Sequence, residues 1–377
     1  MNVVRFSPSP RSVTLSLGER SYTIEIGPGL LGAEATWAAL DKIKRVAIVS
    51  NETIWPLFGE RLRAQMADHG IVVTPIILPD GEEHKSWQTL NTIFDALITT
   101  GCDRHTPLIA LGGGVVGDVT GFAAAVYQRG VPFVQVPTTL LAMVDSAVGG
   151  KTAINHPLAK NMIGAFHQPL LVVADTDTLQ TLPRREYASG LAEVVKYGLI
   201  YDAALFDWLE ANANALRERD AQCLAHAIAR SCEIKAQIVA HDERETLREG
   251  GRALLNFGHT FGHAIENLLG YGEWLHGEAV ACGMVLASNY CVERGMIDAT
   301  AAERLRALLQ CFELPVKPPR LSAADVLHVM GKDKKNSDGA IRLVLLERIG
   351  RAITAPADRA TLDHFLQRAF APNGAGL

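Results

Sequence analysis

The sequence predicts an α/β N-terminal domain, Rossmann-like and built on a parallel sheet, over residues 1–180, followed by a mainly α-helical C-terminal domain over residues 181–377. Three observations carry this expectation. The chain has 377 residues, more than the ~150 of a usual single domain. Its first half alternates short β-branched apolar runs with amphipathic stretches, the pattern of a parallel sheet covered on both faces. Beyond the Leu182 and Pro183 breaker the apolar period becomes helical and stays so.

In chain order, residues 12–17 and 22–26 alternate and predict a hairpin, while residues 46–49, 72–78, 108–111, 133–136 and 170–173 read as buried strands. Between them, residues 54–69, 86–99, 118–126 and 139–148 carry helical patterns. In the second half residues 186–199, 205–216, 221–239, 260–269, 278–294 and 300–312 read as helices. Ser322 is the N-cap of a further helix over 323–330, and residues 341–346 alone read as a strand. The Gly- and Pro-containing tail from Pro372 is expected to fray.

Composition excludes several classes. Hydrophobic residues make up 48% and charged residues 20%, so the chain has ample apolar material for a core. With 36 basic against 41 acidic residues the net charge is −5, which argues against nucleic acid as a partner. The uncharged runs 106–117 and 131–144 fall short of the ~18 apolar residues of a membrane span. The start lacks the apolar stretch of a secretory signal, so the expected location is the cytoplasm. Six scattered cysteines form no Cys-x-x-Cys pair and are read as reduced core thiols.

Four motifs carry chemistry. Gly112-Gly113-Gly114-Val115-Val116-Gly117-Asp118 follows a predicted strand and precedes a predicted helix, fitting G-x-G-x-x-G. Such a turn lets the backbone approach a pyrophosphate at a helix start, or serves only as a tight turn. No acidic residue follows ~20 positions later, as the standard dinucleotide fingerprint requires, and Asp118 suits a hydroxyl rather than a phosphate. The second motif, Asp145-Ser146-Ala147-Val148-Gly149-Gly150-Lys151-Thr152, fails as a Walker loop because the required first Gly is Asp145. It leaves Lys151 on a Gly hinge, with Lys160 and Asn161 in a following loop, suited to an anion or to a solvated turn. In the third, Glu193 and Lys196 share a helix face, and spacing alone favours an ion pair.

The fourth motif runs from Asn256 through His259, His263 and Glu266 to His276-Gly277-Glu278. His259 and His263 lie four apart, so both imidazoles leave one helix face, as in zinc-binding helices. Spacing does not choose which three groups hold a metal, and Thr260 breaks the His-Glu-x-x-His order of a metalloprotease. Together the motifs indicate an enzyme using a nicotinamide cofactor and a divalent metal.

The same motifs, in this order, resemble the 3-dehydroquinate synthases, a sugar phosphate cyclase family of the shikimate pathway. The resemblance runs from about Val13 to Leu346. It rests on Pro79-Asp80-Gly81-Glu82-x-x-Lys85-Ser86, residues 112–118, Gln135 to Leu140, residues 145–155, Lys160 to Gly164, residues 190–196 and residues 254–266. It implies a lyase that cyclises 3-deoxy-arabino-heptulosonate 7-phosphate and releases phosphate, with NAD reduced and reoxidised in each turnover. It implies cofactor contacts from Asp80, Glu82, Lys85, Gly113, Gly114, Val115, Val116, Gly117, Asp118, Thr138, Thr139, Thr178, Leu179, Gln180 and Thr181, with Lys151 and Lys160 near the same ligand. It implies metal ligation by Glu193, His259 and His276, for zinc or cobalt, and leaves His263 to the substrate. Lys151, Asn161, His263 and one or both of Lys334 and Lys335 would hold the phosphate, with Arg129 reaching across from a second subunit of a homodimer. Lys235 and Arg252 would hold the carboxylate, for which a planar guanidinium suits. Asp145, Lys196 and Asn256 would complete the hydroxyl contacts. Two departures stand out: residues 246–251 form a longer segment than is usual in the family, and Asn51 sits where relatives carry Asp for the adenosine ribose.

Overall fold

A computed structural model describes residues 10–247, 250–270, 272–332 and 341–371. Lys334 and Lys335 lie outside the described residues, as do the tail from 372 and part of the 246–251 segment. The chain forms two compact units, Met1–Pro183 with Ala221–Ala240, and Arg184–Asp220 with His241–Leu377.

The first unit contains β1 (Arg11–Leu15), β2 (Tyr22–Gly27), β3 (Arg45–Asn51), α1 (Glu60–Asp68), β4 (Val72–Leu78), α2 (Trp87–Thr99), β5 (Leu108–Gly112), α3 (Gly114–Val126), β6 (Phe133–Pro137), β7 (Lys151–His156), β8 (Ala159–Phe166) and β9 (Leu171–Asp175). Seven strands form one sheet in the order β1-β2-β9-β6-β5-β3-β4, parallel except for the antiparallel β1–β2 pair that residues 12–17 and 22–26 predict. Every residue of β5, β6 and β9 is buried, as central parallel strands require. One apolar cluster joins Leu90, Ile93, Val119 and Phe133, and another joins Trp37, Leu62, Val134 and Val136. Adjacent residues Phe133 and Val134 enter different clusters because strand side chains alternate faces.

Three expectations for this half change. The run 72–78 is an edge strand rather than a buried one, with Val72 57% and Ile77 42% exposed. Pro75 fits this, since proline has no N–H to donate and within a central strand would leave a gap in the hydrogen-bond ladder. The helix expected over 139–148 is a wide turn, Ala142–Ser146, closed by the Ala147 amide donating to the Ala142 carbonyl at 3.0 Å. Such π-type turns widen the backbone locally. The loops expected around Lys151 and Lys160 are an antiparallel hairpin, β7–β8, entered through Gly149 (φ 98°) and Gly150 (φ 64°). Left-handed φ at both positions is open to glycine without a Cβ penalty.

The second unit contains α4 (Arg184–Ile200), α5 (Ala203–Ala211), α6 (Ala213–Arg217), α8 (His259–Leu269), α9 (His276–Glu293), α10 (Ala299–Cys311), α11 (Ala323–Gly331), β10 (Arg342–Arg348), β11 (Arg351–Pro356) and α12 (Arg359–Ala369). The long helix α7 (Ala221–His241) belongs, over Ala221–Ala240, to the first unit rather than to the helical one. There its Cys232 thiol donates to the Met143 carbonyl at 3.4 Å and its Lys235 ammonium bonds Asp145. The helix expected over 205–216 breaks at Asn212 (φ −113°), whose side-chain amide donates to the Trp208 carbonyl at 2.8 Å. Ser322 caps α11 as expected, accepting from the Asp325 amide. The strand expected over 341–346 has a partner, β11, that the sequence reading missed. None of the six cysteines forms a disulfide, and burial pushes the Cys232 and Cys282 thiols up to about 12. These two buried thiols are inert packing groups.

A Cβ added at Gly164 of β8 would overlap the Thr152 carbonyl on β7. Gly164→Ala is therefore expected to cost about 1–3 kcal/mol of stability, read as a lower urea midpoint at unchanged m-value.

Candidate functional site

In the second unit, glycines bring the chemistry together. A Cβ at Gly277 would overlap the Ser189 carbonyl, and the Gly277 amide donates to Ser189 Oγ at 3.0 Å. The start of α9 therefore lies against α4 one turn before Glu193. A Cβ at Gly283 would likewise overlap the Gly258 carbonyl, so α8 and α9 approach closely at their backbones. Gly258 holds a left-handed φ of 78°, turning the chain into α8 with His259 as its first residue.

These contacts assemble Glu193, His259 and His276. Glu193 is fully buried, and its Oε1 lies 3.6 Å from His259 Nε2 and 3.8 Å from His276 Nε2. The two rings sit 5.2 Å apart. His259 Nδ1 donates to the Phe257 carbonyl at 3.2 Å, and His276 Nδ1 donates to Glu266 Oε2 at 3.2 Å. Each ring therefore turns its Nε2 toward the carboxylate. The Lys196 ammonium forms an ion pair with Glu193 Oε2, yet neither carboxylate oxygen has a hydrogen-bond partner among the described residues.

A buried, hydrogen-bond-deficient carboxylate facing two imidazole nitrogens has the donor set to hold a cation. Metal–ligand bonds of ~2.1 Å in a tetrahedron give ligand–ligand edges of about 3.4 Å, close to the two separations observed. One carboxylate and two imidazoles suit zinc or cobalt. The three ligand atoms lie within 4.8 Å of one another.

Helical spacing suggested pairing His259 with His263, but the two share neither of the three-residue groups in the described structure. His263, exposed, groups instead with Glu266 and His276, its ring 6.0 Å from that of His276. The sequence reading gave no role to Glu266, although His259, His263 and Glu266 recur at i, i+4 and i+7 on one helix face. It also missed Arg185, which grips both oxygens of Glu278 at 2.6 and 2.7 Å and the Glu273 carbonyl at 2.7 Å. Glu278 in turn accepts from the Leu275 amide at 2.7 Å, fixing the backbone just before His276. Of the other residues expected in this half, Arg252 is buried, its amide bound to Asp242 and its guanidinium to the Glu243 carbonyl at 2.8 Å. Asn256 donates to the Ala253 carbonyl at 3.1 Å.

In the first unit the Gly-rich turn lies between β5 and α3. A Cβ at Gly114 would stand 3.1 Å from Ser146 Oγ, and one at Gly117 would stand 2.7 Å from Gln135 Oε1. Val116 packs in the core and Val115 against it. Thr138 follows β6, and its buried hydroxyl has no partner among the described residues. Thr139 Oγ1 accepts from the Ala142 amide at 3.1 Å. Thr178, Leu179 and Gln180 lie on the turn Thr176–Gln180, where Thr178 donates to the Asp175 carbonyl at 2.7 Å and Thr181 donates back to Thr178.

Asp118, which would repel phosphate alone, is paired with Lys85 at 2.6 Å. Burial acts to lower the Lys85 pKa, but the Asp118 and Glu82 charges outweigh it and raise it above the ordinary lysine value. Asp145 pairs with Lys235 at 2.5 Å. Asn51 donates to Asp80 at 2.7 Å and accepts from the Ile54 amide at 2.8 Å. Lys151, Lys160 and Asn161 are exposed on the β7–β8 hairpin, and Arg129 is exposed at a left-handed turn (φ 69°) after α3.

Removing the Glu266 carboxylate should free the His276 ring. Glu266→Ala is expected to weaken zinc binding to the metal-stripped protein about 10–100-fold, with Glu266→Gln in between, measured by competition with a chelating dye. Unchanged zinc affinity in both variants overturns the role given to Glu266.

The family models 3-dehydroquinate synthase N-terminal and 3-dehydroquinate synthase C-terminal match residues 75–189 and 190–336. A 3-dehydroquinate synthase of Nitrosospira multiformis is 59% identical over 352 residues, covering 92% of this chain and 95% of that one. The structure of a 2-epi-5-epi-valiolone synthase from Streptomyces hygroscopicus subsp. jinggangensis 5008, with NAD+ and Zn2+ bound, has a TM-score of 0.85 at 31% identity, covering 93% of this chain and 97% of that one. A 2-deoxy-scyllo-inosose synthase shares the fold, with a TM-score of 0.86 at 24% identity over 95% of this chain and 100% of that one. The chain belongs to the 3-dehydroquinate synthase family.

Proposed function

We propose that this protein converts 3-deoxy-D-arabino-heptulosonate 7-phosphate into 3-dehydroquinate and phosphate, as a carbon–oxygen lyase that uses NAD catalytically and one divalent metal, zinc or cobalt. The observation that carries this reading is the buried Glu193 carboxylate facing the Nε2 atoms of His259 and His276 in a chain of this family.

When bound, the metal supplies Lewis acidity to adjacent substrate hydroxyls and NAD supplies reversible hydride acceptance at C5. Glu193, His259 and His276 hold the metal, while the Lys196 ammonium against Glu193 serves a substrate hydroxyl. The turn 113–118, Asp80, Glu82, Lys85, Thr138, Thr139 and residues 178–181 hold the dinucleotide, with Lys160 beside it. A side chain at Gly114 or Gly117 would crowd Ser146 or Gln135, and their absence keeps the turn small enough for a dinucleotide to approach its backbone.

Oxidation at C5 acidifies the neighbouring C–H bond, so that phosphate leaves and itself carries off the proton. The chain's task in that step is to hold charge. Lys151, Asn161 and His263, with one or both of Lys334 and Lys335, bind the phosphate, and Arg129 completes the set from the second subunit of a homodimer. Arg252 and Lys235 bind the carboxylate, and Asp145 and Asn256 the hydroxyls. With bound NAD the hydride would be given back at C5, and ring opening and aldol closure would complete the carbocycle. The enzyme works in the cytoplasm.

Purified protein with catalytic NAD should release phosphate from the heptulosonate phosphate without accumulating NADH. Dialysis against chelator should abolish release, and zinc or cobalt should restore it. Glu193→Gln should abolish turnover while leaving NAD binding measurable. Steady accumulation of NADH in step with substrate consumption, the signature of a polyol dehydrogenase of this fold, overturns the proposal.

A further inference from the structure

The β7–β8 hairpin is tied to the segment that carries Glu82 and Lys85 by a closed set of hydrogen bonds. The Asn155 amide donates to the Lys85 carbonyl at 2.7 Å, and Asn155 Nδ2 donates to Glu82 Oε1 at 2.7 Å. Asn155 Oδ1 accepts from the Asn161 amide at 3.0 Å, across the hairpin tip. The Lys85 ammonium, in a residue only 4% exposed, then donates to Asp118 Oδ2 at 2.6 Å and to Asn161 Oδ1 at 2.5 Å. Asn161 adopts a left-handed φ of 56°, which asparagine tolerates better than most residues. Its backbone and its side chain are thus each held by a separate partner.

The chemistry of these partners has a consequence for Asn161. An ammonium is a donor with no acceptor capacity, so it can donate only to the oxygen edge of a carboxamide. The Asn161 group is planar, and with Oδ1 fixed on Lys85 its NH2 is turned to the opposite edge. Asn161 is exposed, so that edge is open to a ligand. A carboxamide free to flip would present donor and acceptor edges in turn, and only the donor edge binds a phosphate oxygen.

We propose that Lys85 is a positioning residue for anion binding: by holding Asn161 Oδ1 it sets the asparagine amide with its N–H groups toward the phosphate. This rests on the reading above that Asn161 serves the phosphate. The same ammonium neutralises Asp118 in the first turns of the helix after the Gly-rich turn, so one buried cation serves both the dinucleotide segment and the phosphate-bearing hairpin. Lys85 acts through Asn161 and need not touch the phosphate.

The test uses the metal- and NAD-loaded protein with inorganic phosphate as the probe, read as its competitive inhibition constant, together with KM and kcat for the heptulosonate phosphate and the NAD dissociation constant. Asn161→Ala should weaken phosphate roughly ten- to hundredfold, the range for a hydrogen bond to a charged group. Lys85→Met should weaken it by a similar factor, and the double variant should be no weaker than Asn161→Ala alone, because a positioning effect vanishes with the residue it positions. A through-space effect of the lysine charge would instead persist in the Asn161→Ala background. Asn161→Asp should bind phosphate more weakly than Asn161→Ala, since its outward edge becomes an oxygen. This comparison leaves the buried lysine intact and stands even if Lys85→Met fails to fold.

Additive losses in the double variant, equal losses in Asn161→Asp and Asn161→Ala, or a Lys85→Met effect confined to NAD affinity each overturn the positioning role. Unchanged phosphate affinity in Asn161→Ala overturns the phosphate role of Asn161 itself, and the two failures are thereby distinguished.

Discussion

The helical unit is organised around one unfavourable act, the complete burial of the Glu193 carboxylate. An isolated buried charge costs several kcal/mol unless opposite charge and hydrogen bonds compensate it. Here compensation is only partial: Lys196 pairs with one oxygen, while the other faces two imidazole nitrogens at 3.6 and 3.8 Å. Such an arrangement makes sense when a cation completes it. The packing that creates it is equally specific, because α4, α8 and α9 meet at Gly277, Gly258 and Gly283, where a single methyl group would collide with a neighbouring backbone or with Met284.

Around Glu193, His259 and His276 lies a ring of residues whose hydrogen bonds orient them. Phe257 and Glu266 take the Nδ1 protons of His259 and His276, selecting the tautomer that leaves Nε2 for a metal. Arg185 fixes Glu278, and Glu278 fixes the backbone ahead of His276. The same economy recurs in the α/β unit. Lys85 is paired with Asp118 and Lys235 with Asp145, so the two most deeply set lysines of that unit's candidate residues each neutralise an acid while bonding a second acceptor. Charges that read in the sequence as separate ligand-binding groups are, in the fold, paired before any ligand arrives.

Much of the architecture was legible in the residues. The central strands are continuous apolar runs, and the Gly-rich turn sits between a strand and a helix as its composition implies. What went unread has local physical causes. Pro75 marked 72–78 as an edge strand, but its apolar composition masked that signal. The β7–β8 hairpin carries exposed residues on both sides of its tip, so it shows no clean alternation. The wide turn Ala142–Ser146 has helical composition throughout, and only its closing hydrogen bond separates it from an α-helix.

From the order of residues alone came the family, the α/β-then-helical arrangement and the short set of histidines, acids and lysines on which chemistry could rest, because these depend on local period and on motif spacing. Which of them act together was a matter for the folded chain. Glu193 stands 66 positions before His259 and 83 before His276, and no helical repeat relates them; close glycine contacts between helices bring them within reach. Likewise, nothing in the spacing of Lys85, Asp118 and Asn161 shows that one ammonium bridges the other two. Hydrogen bonds between groups far apart in the chain depend on how the backbone is packed, and packing is a property of the whole unit.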